Sequence, residues 1–213
     1  MPKHGWKWRT EQIRHLDDNE LIDLLRFGRF SGKLSKWIYR NLPNHEIEAL
    51  KAIALSDAPW AHDFLWRELQ RHKADALGDW VVIALCSGSM TGPQDAARYL
   101  DLYDDESAHA MTRGSAIFGL NTAITNASMQ KDKTSVDPIS KDIFLRVRDA
   151  CHRAIHDSNN PYARAGACWL GASLGGFDDE LAQLRNDHTP ISPNESLTVA
   201  SHYEAPNSEG EIF

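Results

Sequence analysis

The sequence predicts an all-α chain. Three observations carry this. Prolines and capping residues mark helix starts throughout, apolar residues recur three and four apart between those marks, and a single run, WVVIALC at 80–86, reads as a strand. Taken in order, DDNELIDLLRFG (17–28) has an aspartate cap, an acidic first turn, a stripe of Leu21, Leu24 and Leu25, and closes on Gly28. KLSKWIYRNLP (33–43) runs to Pro43, which stops it. NHEIEALKAIALS (44–56) opens on Asn44 and sets Ile47, Leu50, Ile53 and Ala54 on one face. The segments 56–72, 92–103, 136–156 and 159–174 each carry a proline (Pro59, Pro93, Pro138 and Pro161) in the expected first turn, where its missing N–H costs nothing. WVVIALC sits between KADALGD and a small-residue exit, which fits a helix apolar on all sides and enclosed by neighbours. TNASMQKDKTSVD, 125–137, is expected to form a long loop.

The chain has 213 residues, enough to bury a core without staples. Its three cysteines, Cys86, Cys151 and Cys168, sit in apolar surroundings without CxxC spacing, which suits free thiols in a reducing compartment. MPKHGWKWRT at the N-terminus has no apolar signal core, and no run nears the ~20 apolar residues of a membrane span. A cytoplasmic location without membrane contact is expected.

Net charge is −7 and unevenly spread. Residues 1–40 hold nine Lys/Arg and five Asp/Glu, so the remainder carries −11. An acidic body argues against nonspecific nucleic-acid binding and favours a basic protein partner. HGWKWR, 4–9, reads as a capping segment within residues 1–16 whose tryptophans cover one end of the fold. Residues 188–213 hold four glutamates, no Lys or Arg, and Pro190, Pro193 and Pro206; this tail is expected to be extended or laid across the end of the domain formed by 1–187.

YARAGACWLGASLGG, 162–176, poses a choice between a phosphate-cradling loop and a tightly packed helix. A phosphate loop needs a strand before its glycines and a helix opening on them. Here a helix precedes, and Gly175 and Gly176 read as its C-terminal stop. Ala165, Cys168, Trp169 and Ala172 form one stripe, and Gly171 and Ala172 read as positions where a neighbouring helix comes close.

RGSAIFGL (113–120) and RAGACWLG (164–171) share an arginine, small residues, an aromatic and a Gly/Leu pair. ALCSGSMTGPQDAARYL (84–100) and WLGASLGGFDDELAQL (169–184) each run apolar helix, small-residue turn, acidic start and amphipathic helix. Over residues 17–187 this pattern resembles HEAT-like repeats, whose inner helices begin with Arg or Lys and pack through Ala and Gly. The resemblance implies a short right-handed α-solenoid of helical hairpins.

No residue set compels a reaction. His152 and His156 give HxxxH, but Arg153 stands where a zinc protease needs its glutamate, so no metal, cofactor or catalytic residue is expected. No GxSxG occurs, and the acidic pairs Asp17/Asp18 and Asp178/Asp179 sit at helix starts, where capping explains them. YLDLYDDESAHA, 99–110, presents Asp101, Tyr103, Asp104, Asp105 and Glu106 as an acidic loop with tyrosines, and Trp60 and Asp63 extend it. An acidic helical-repeat chain without a catalytic set resembles bacterial immunity proteins. That resemblance implies an inhibitor that binds and occludes a cognate toxin, expected to be basic and often a nuclease. The alternatives are a HEAT-like DNA glycosylase of the alkylpurine type, which needs a basic concave face, and a scaffold or adaptor.

Overall fold

The structure, a computed structural model, describes residues 50, 53–54, 58–86, 91–134, 137–191 and 198–204. The capping segment and the two helices expected over 17–43 lie outside the described residues. The described chain is all-α, without a strand. In chain order it forms α1 (Ala61–His72), α2 (Leu77–Cys86), a 3₁₀ turn (Pro93–Asp95), α3 (Ala96–Asp104), α4 (Ala110–Thr134), α5 (Lys141–Ile155), α6 (Pro161–Leu174), α7 (Asp178–Leu184) and α8 (Val199–Glu204).

Local chemistry sets these boundaries. The Ser140 hydroxyl caps α5 by accepting from Ile143 N at 3.3 Å, and Asn160 caps α6 by accepting from Ala163 N at 3.0 Å, with Pro161 at the first helical position. Gly175 and Gly176, at φ 69° and 74°, end α6 in the left-handed region open to glycine. WVVIALC is helical, and α2 buries Val81, Val82, Ala84 and Leu85.

Three expectations are corrected. Segment 125–134 is not a loop: α4 continues through it to Thr134. Its polar residues find partners that keep the helix intact, since Ser128 Oγ donates back to Ile124 O (3.2 Å) and Asn126 Nδ2 donates to Thr91 O (2.6 Å). Ala123, Ile124 and Ala127 are buried on the same stretch. The tail is not wholly extended: α8 lies in it, packs on α6, and buries Val199 and Ala200. Ala172 is exposed rather than part of a buried stripe, so only Gly171 of that pair faces a neighbour.

Consecutive helices pair as α1–α2, α3–α4, α5–α6 and α7–α8. Helices two apart pack as well: α2 on α4, α4 on α6 and α6 on α8 along one row, α3 on α5 and α5 on α7 along the other. Small residues bring the even row together. A Cβ built on Gly166 would lie 3.1 Å from Ile117, and one on Gly114 would lie 2.9 Å from the Ala163 backbone. The arginines of the two matching segments reach different neighbours: Arg113 Nε donates to Tyr103 O within the α3–α4 hairpin at 2.8 Å, and Arg164 on α6 pairs with Asp187, beyond the end of α7. No helix among the described residues is long and apolar enough to cross a membrane.

Candidate functional site

α1 and α3 lie side by side and run in the same direction, because three contacts fix their register. Near their starts His62 Nε2 meets Asp95 Oδ2 at 3.0 Å. Midway Trp66 packs on Tyr99 with ring centroids 5.0 Å apart. At the far end Lys73 Nζ donates to Asp105 Oδ2 at 2.5 Å. Between the helices opens a groove of about 630 Å³. α1 lines it with Asp63, Trp66, Arg67 and Gln70, spaced three and four apart on one helical face, and Lys73 follows. α3 lines it with Arg98, Asp101 and Leu102, and Asp105 follows.

The expected acidic patch is thus rearranged. Asp63, Asp101 and Asp105 come together on the groove. Asp63 and Asp101 have side chains 81% and 73% exposed, which makes them the accessible carboxylates of the site. Asp104 ends α3 and turns to α5, where Arg153 Nη1 donates to it at 2.8 Å. Arg146 Nη2 donates to Asp101 at 3.1 Å, and Arg153 Nε also donates to Asp149 at 2.9 Å. Tyr103 is not offered to a partner: it is buried, with Arg153 5.2 Å and Arg113 5.7 Å from its ring centroid, and burial pushes its hydroxyl up to about 12. Trp60 is half-buried, edge-on to Phe64 at 6.1 Å and packed against the core. Glu106 is exposed in the turn after α3 and has no ion-pair partner among the described residues. A face read as acidic is therefore a mosaic, in which three of the five carboxylates between 101 and 106 and Asp63 are met by cations of neighbouring helices.

Asp105 closes the lower end of the groove. The Lys73 ammonium, then the Ser107 hydroxyl and N–H, hold its carboxyl down to about 2. A carboxyl depressed on folding contributes stability above its ordinary range near ~4 and loses it as pH falls toward ~2. Asp105→Asn is accordingly expected to flatten the acid limb of the stability curve. Urea midpoints at neutral pH and between pH ~4 and ~2 check this: wild type should lose more stability over that interval than the variant.

Sequence reasoning missed the cations Arg67, Lys73 and Arg98, and it missed the His62–Asp95 pair. The Asp95 side chain is 1% exposed and also accepts from Gly92 N at 2.9 Å, a capping arrangement foreshadowed by GPQD. Nothing near position 62 announces its partner 33 residues later.

Of the three cysteines, Cys151 and Cys168 are buried and Cys86 is half-buried. Burial pushes the Cys86 thiol up to about 11, enclosed by Thr122, Tyr99 and Thr91, and those of Cys151 and Cys168 up to about 12. Cys151 and Cys168 are expected to resist a thiol reagent at pH ~8 in the native protein and to react together once it is denatured; rapid labelling of either before unfolding would contradict this. His152 on α5 and His156, which caps its C-terminus, lie exposed with ring centroids 4.7 Å apart, and no group of three metal-ligating side chains occurs among the described residues. Comparison with protein-family models, with curated proteins and with solved structures gives no match.

Proposed function

We propose that this chain is a non-catalytic binding protein of the immunity type, which occludes a cognate toxin in the cytoplasm through the face formed by α1 and α3. The two rows of parallel helices suit a short right-handed solenoid of HEAT-like hairpins, a form that binds macromolecules along an exposed face. One observation carries the reading: an open groove floored by Trp66 and Leu102 and edged by the exposed carboxylates Asp63 and Asp101, all held on regular helices. Thiols held in the protonated form give nucleophilic catalysis no support. A glycosylase of the alkylpurine type would need a basic cleft, and this groove balances each cation with a carboxylate.

The test is co-expression with the product of the adjacent gene, with pull-down at low and high salt and rescue of growth as readouts. The informative variant is Asp63→Lys with Asp101→Lys, which gives up only the exposed Arg146–Asp101 pair, since Asp104 lies off the groove on Arg153 and Asp105 is tied to Lys73. Association is expected to slow at least tenfold at low salt and less at high salt, because exposed charges act mainly on encounter. A variant that binds and protects as well as wild type removes the groove from the interface. A non-toxic neighbour, together with excision of a damaged base by the purified protein, would replace the inhibitor reading altogether.

A further inference from the structure

α5 ends on two exposed imidazoles. His152 lies in its last turn, and His156 caps it, with its N–H donating back to His152 O at 3.4 Å. The two residues are therefore one helical turn apart, the spacing that stacks side chains on one face. Their ring centroids are 4.7 Å apart. Two imidazoles that ligate one ion at metal–nitrogen distances of ~2.0–2.1 Å and a near-tetrahedral angle have centroids about 5 Å apart. The pair already stands at chelating distance. Neither ring has a hydrogen-bond or ion-pair partner among the described residues. On α1, by contrast, carboxylates meet both nitrogens of His62 and of His72.

Electrostatics at this end of α5 favour a cation. The helix macrodipole places partial negative charge on the last carbonyls, beside both residues. Arg153 is the only Lys or Arg in 149–157, and it is turned toward α3. It donates to Asp104 at 2.8 Å and to Asp149 at 2.9 Å, and its guanidinium lies 5.2 Å from the Tyr103 ring centroid. Two carboxylates thus already meet its charge.

From this geometry we infer that His152 and His156 chelate one divalent ion of the imidazole-seeking class, Zn²⁺, Ni²⁺ or Cu²⁺. Mg²⁺ and Ca²⁺ prefer oxygen ligands and are not expected to bind there. Arg153 in place of a glutamate excludes a zinc-protease centre, but a two-ligand chelate needs no general base. Among the described residues no third side chain joins the pair. A bound zinc ion therefore keeps two of its four positions for water or for a donor from another molecule. The site lies outside the lining of the α1–α3 groove, so the inference goes beyond the toxin reading and does not depend on it.

The experiment titrates the full chain with Zn²⁺ by calorimetry at pH ~7.5, since a proton competes with the metal for each imidazole. It is repeated with Mg²⁺, and with His152→Ala, His156→Ala, the double variant and His188→Ala, an exposed histidine outside the pair. Wild type is expected to bind one Zn²⁺ that each single variant of the pair weakens at least tenfold and that the double variant lacks. His188→Ala should bind as wild type does, and Mg²⁺ should give no binding heat. Equal urea midpoints without metal certify the fold of every variant. Zn²⁺ should raise the midpoint of wild type but not that of the double variant, because the chelate exists only in the folded helix. Absence of Zn²⁺ binding overturns the inference, as does equal affinity in wild type and the double variant. Loss in one single variant alone also overturns it, because that is contact with one imidazole and no chelate.

Discussion

Gly119→Val is expected to lower stability by about 3 kcal/mol, the upper part of the range for overpacking a well-filled core. A Cβ built on Gly119 falls 2.4 Å from Tyr99 Cε1 and 2.6 Å from Cδ1 and Cζ. The ring has no room to yield. Tyr99 is fully buried, its hydroxyl lies 2.8 Å from Thr91 Oγ1, and its other side packs on Trp66. β-branching in a helix adds a few tenths of a kcal/mol more. Gly171 provides the contrast. Its nearest would-be neighbour is a Leu181 methyl at 3.1 Å, the end of a flexible side chain. There the gain of about 1 kcal/mol in helix propensity from alanine offsets the crowding, so Gly171→Ala should be close to neutral. Urea unfolding of Gly119→Val, Gly119→Ala and Gly171→Ala checks both claims. Equal midpoints for the two alanine variants would mean that α4 does not approach α3 as closely as described.

Helix starts were the most legible part of this sequence, because a cap is a local device. The asparagine before Pro161 and the serine before KDIF each satisfy backbone N–H groups within three residues, so their signal needs no tertiary knowledge. The end of α4 was illegible for the converse reason. A run such as TNAS looks like a turn when read alone, and becomes helix because Asn126 has an acceptor at Thr91, 35 residues away. The same limit applied to small residues. Gly171 and Ala172 are adjacent and similar, yet one faces Leu181 and the other faces solvent.

The site was half legible. Asp63, Asp101 and Asp105 could be picked out as acidic, and the helical period places Asp101 and Asp105 on one face. Their neutralisation could not be read, because the cations that meet them sit on other helices: Lys73 beyond α1, Arg146 and Arg153 on α5. A charge count along the chain records composition, whereas a binding surface depends on which charges the fold brings opposite one another. That is why a chain of net charge −7 carries a groove whose lining holds three carboxylates against three cations.

Asp95→Ala should cost about 2–4 kcal/mol, more than any substitution at the exposed carboxylates. Asp95 is a charged residue at 1% exposure, and its two oxygens accept from two directions: Gly92 N within the turn that starts α3, and His62 Nε2 on α1 at 3.0 and 3.1 Å. A carboxylate can only accept, so a His62–Asp95 bond needs the proton on Nε2, and that tautomer cannot also accept from Trp66 Nε1, which lies 3.1 Å from the same nitrogen. Alanine leaves both donors without this partner at a partly buried site, where the His62 side chain is 24% exposed. Each stranded donor costs about 1–3 kcal/mol, and loss of a cap alone typically costs ~1. Arg98 also loses its nearby counter-charge, though at 3.7 Å and with half its surface in solvent this adds little. Asp95→Asn separates these contributions. Its amide oxygen can still accept one bond, so the loss should be roughly half that of alanine. Because the pair ties α1 to α3, His62→Ala and the double variant complete a cycle, and the two single losses should sum to at least ~0.5 kcal/mol more than the loss of the double variant. Additive losses would mean that His62 and Asp95 act independently, and that the register of the groove is set by Trp66 on Tyr99 and by Lys73 on Asp105 alone.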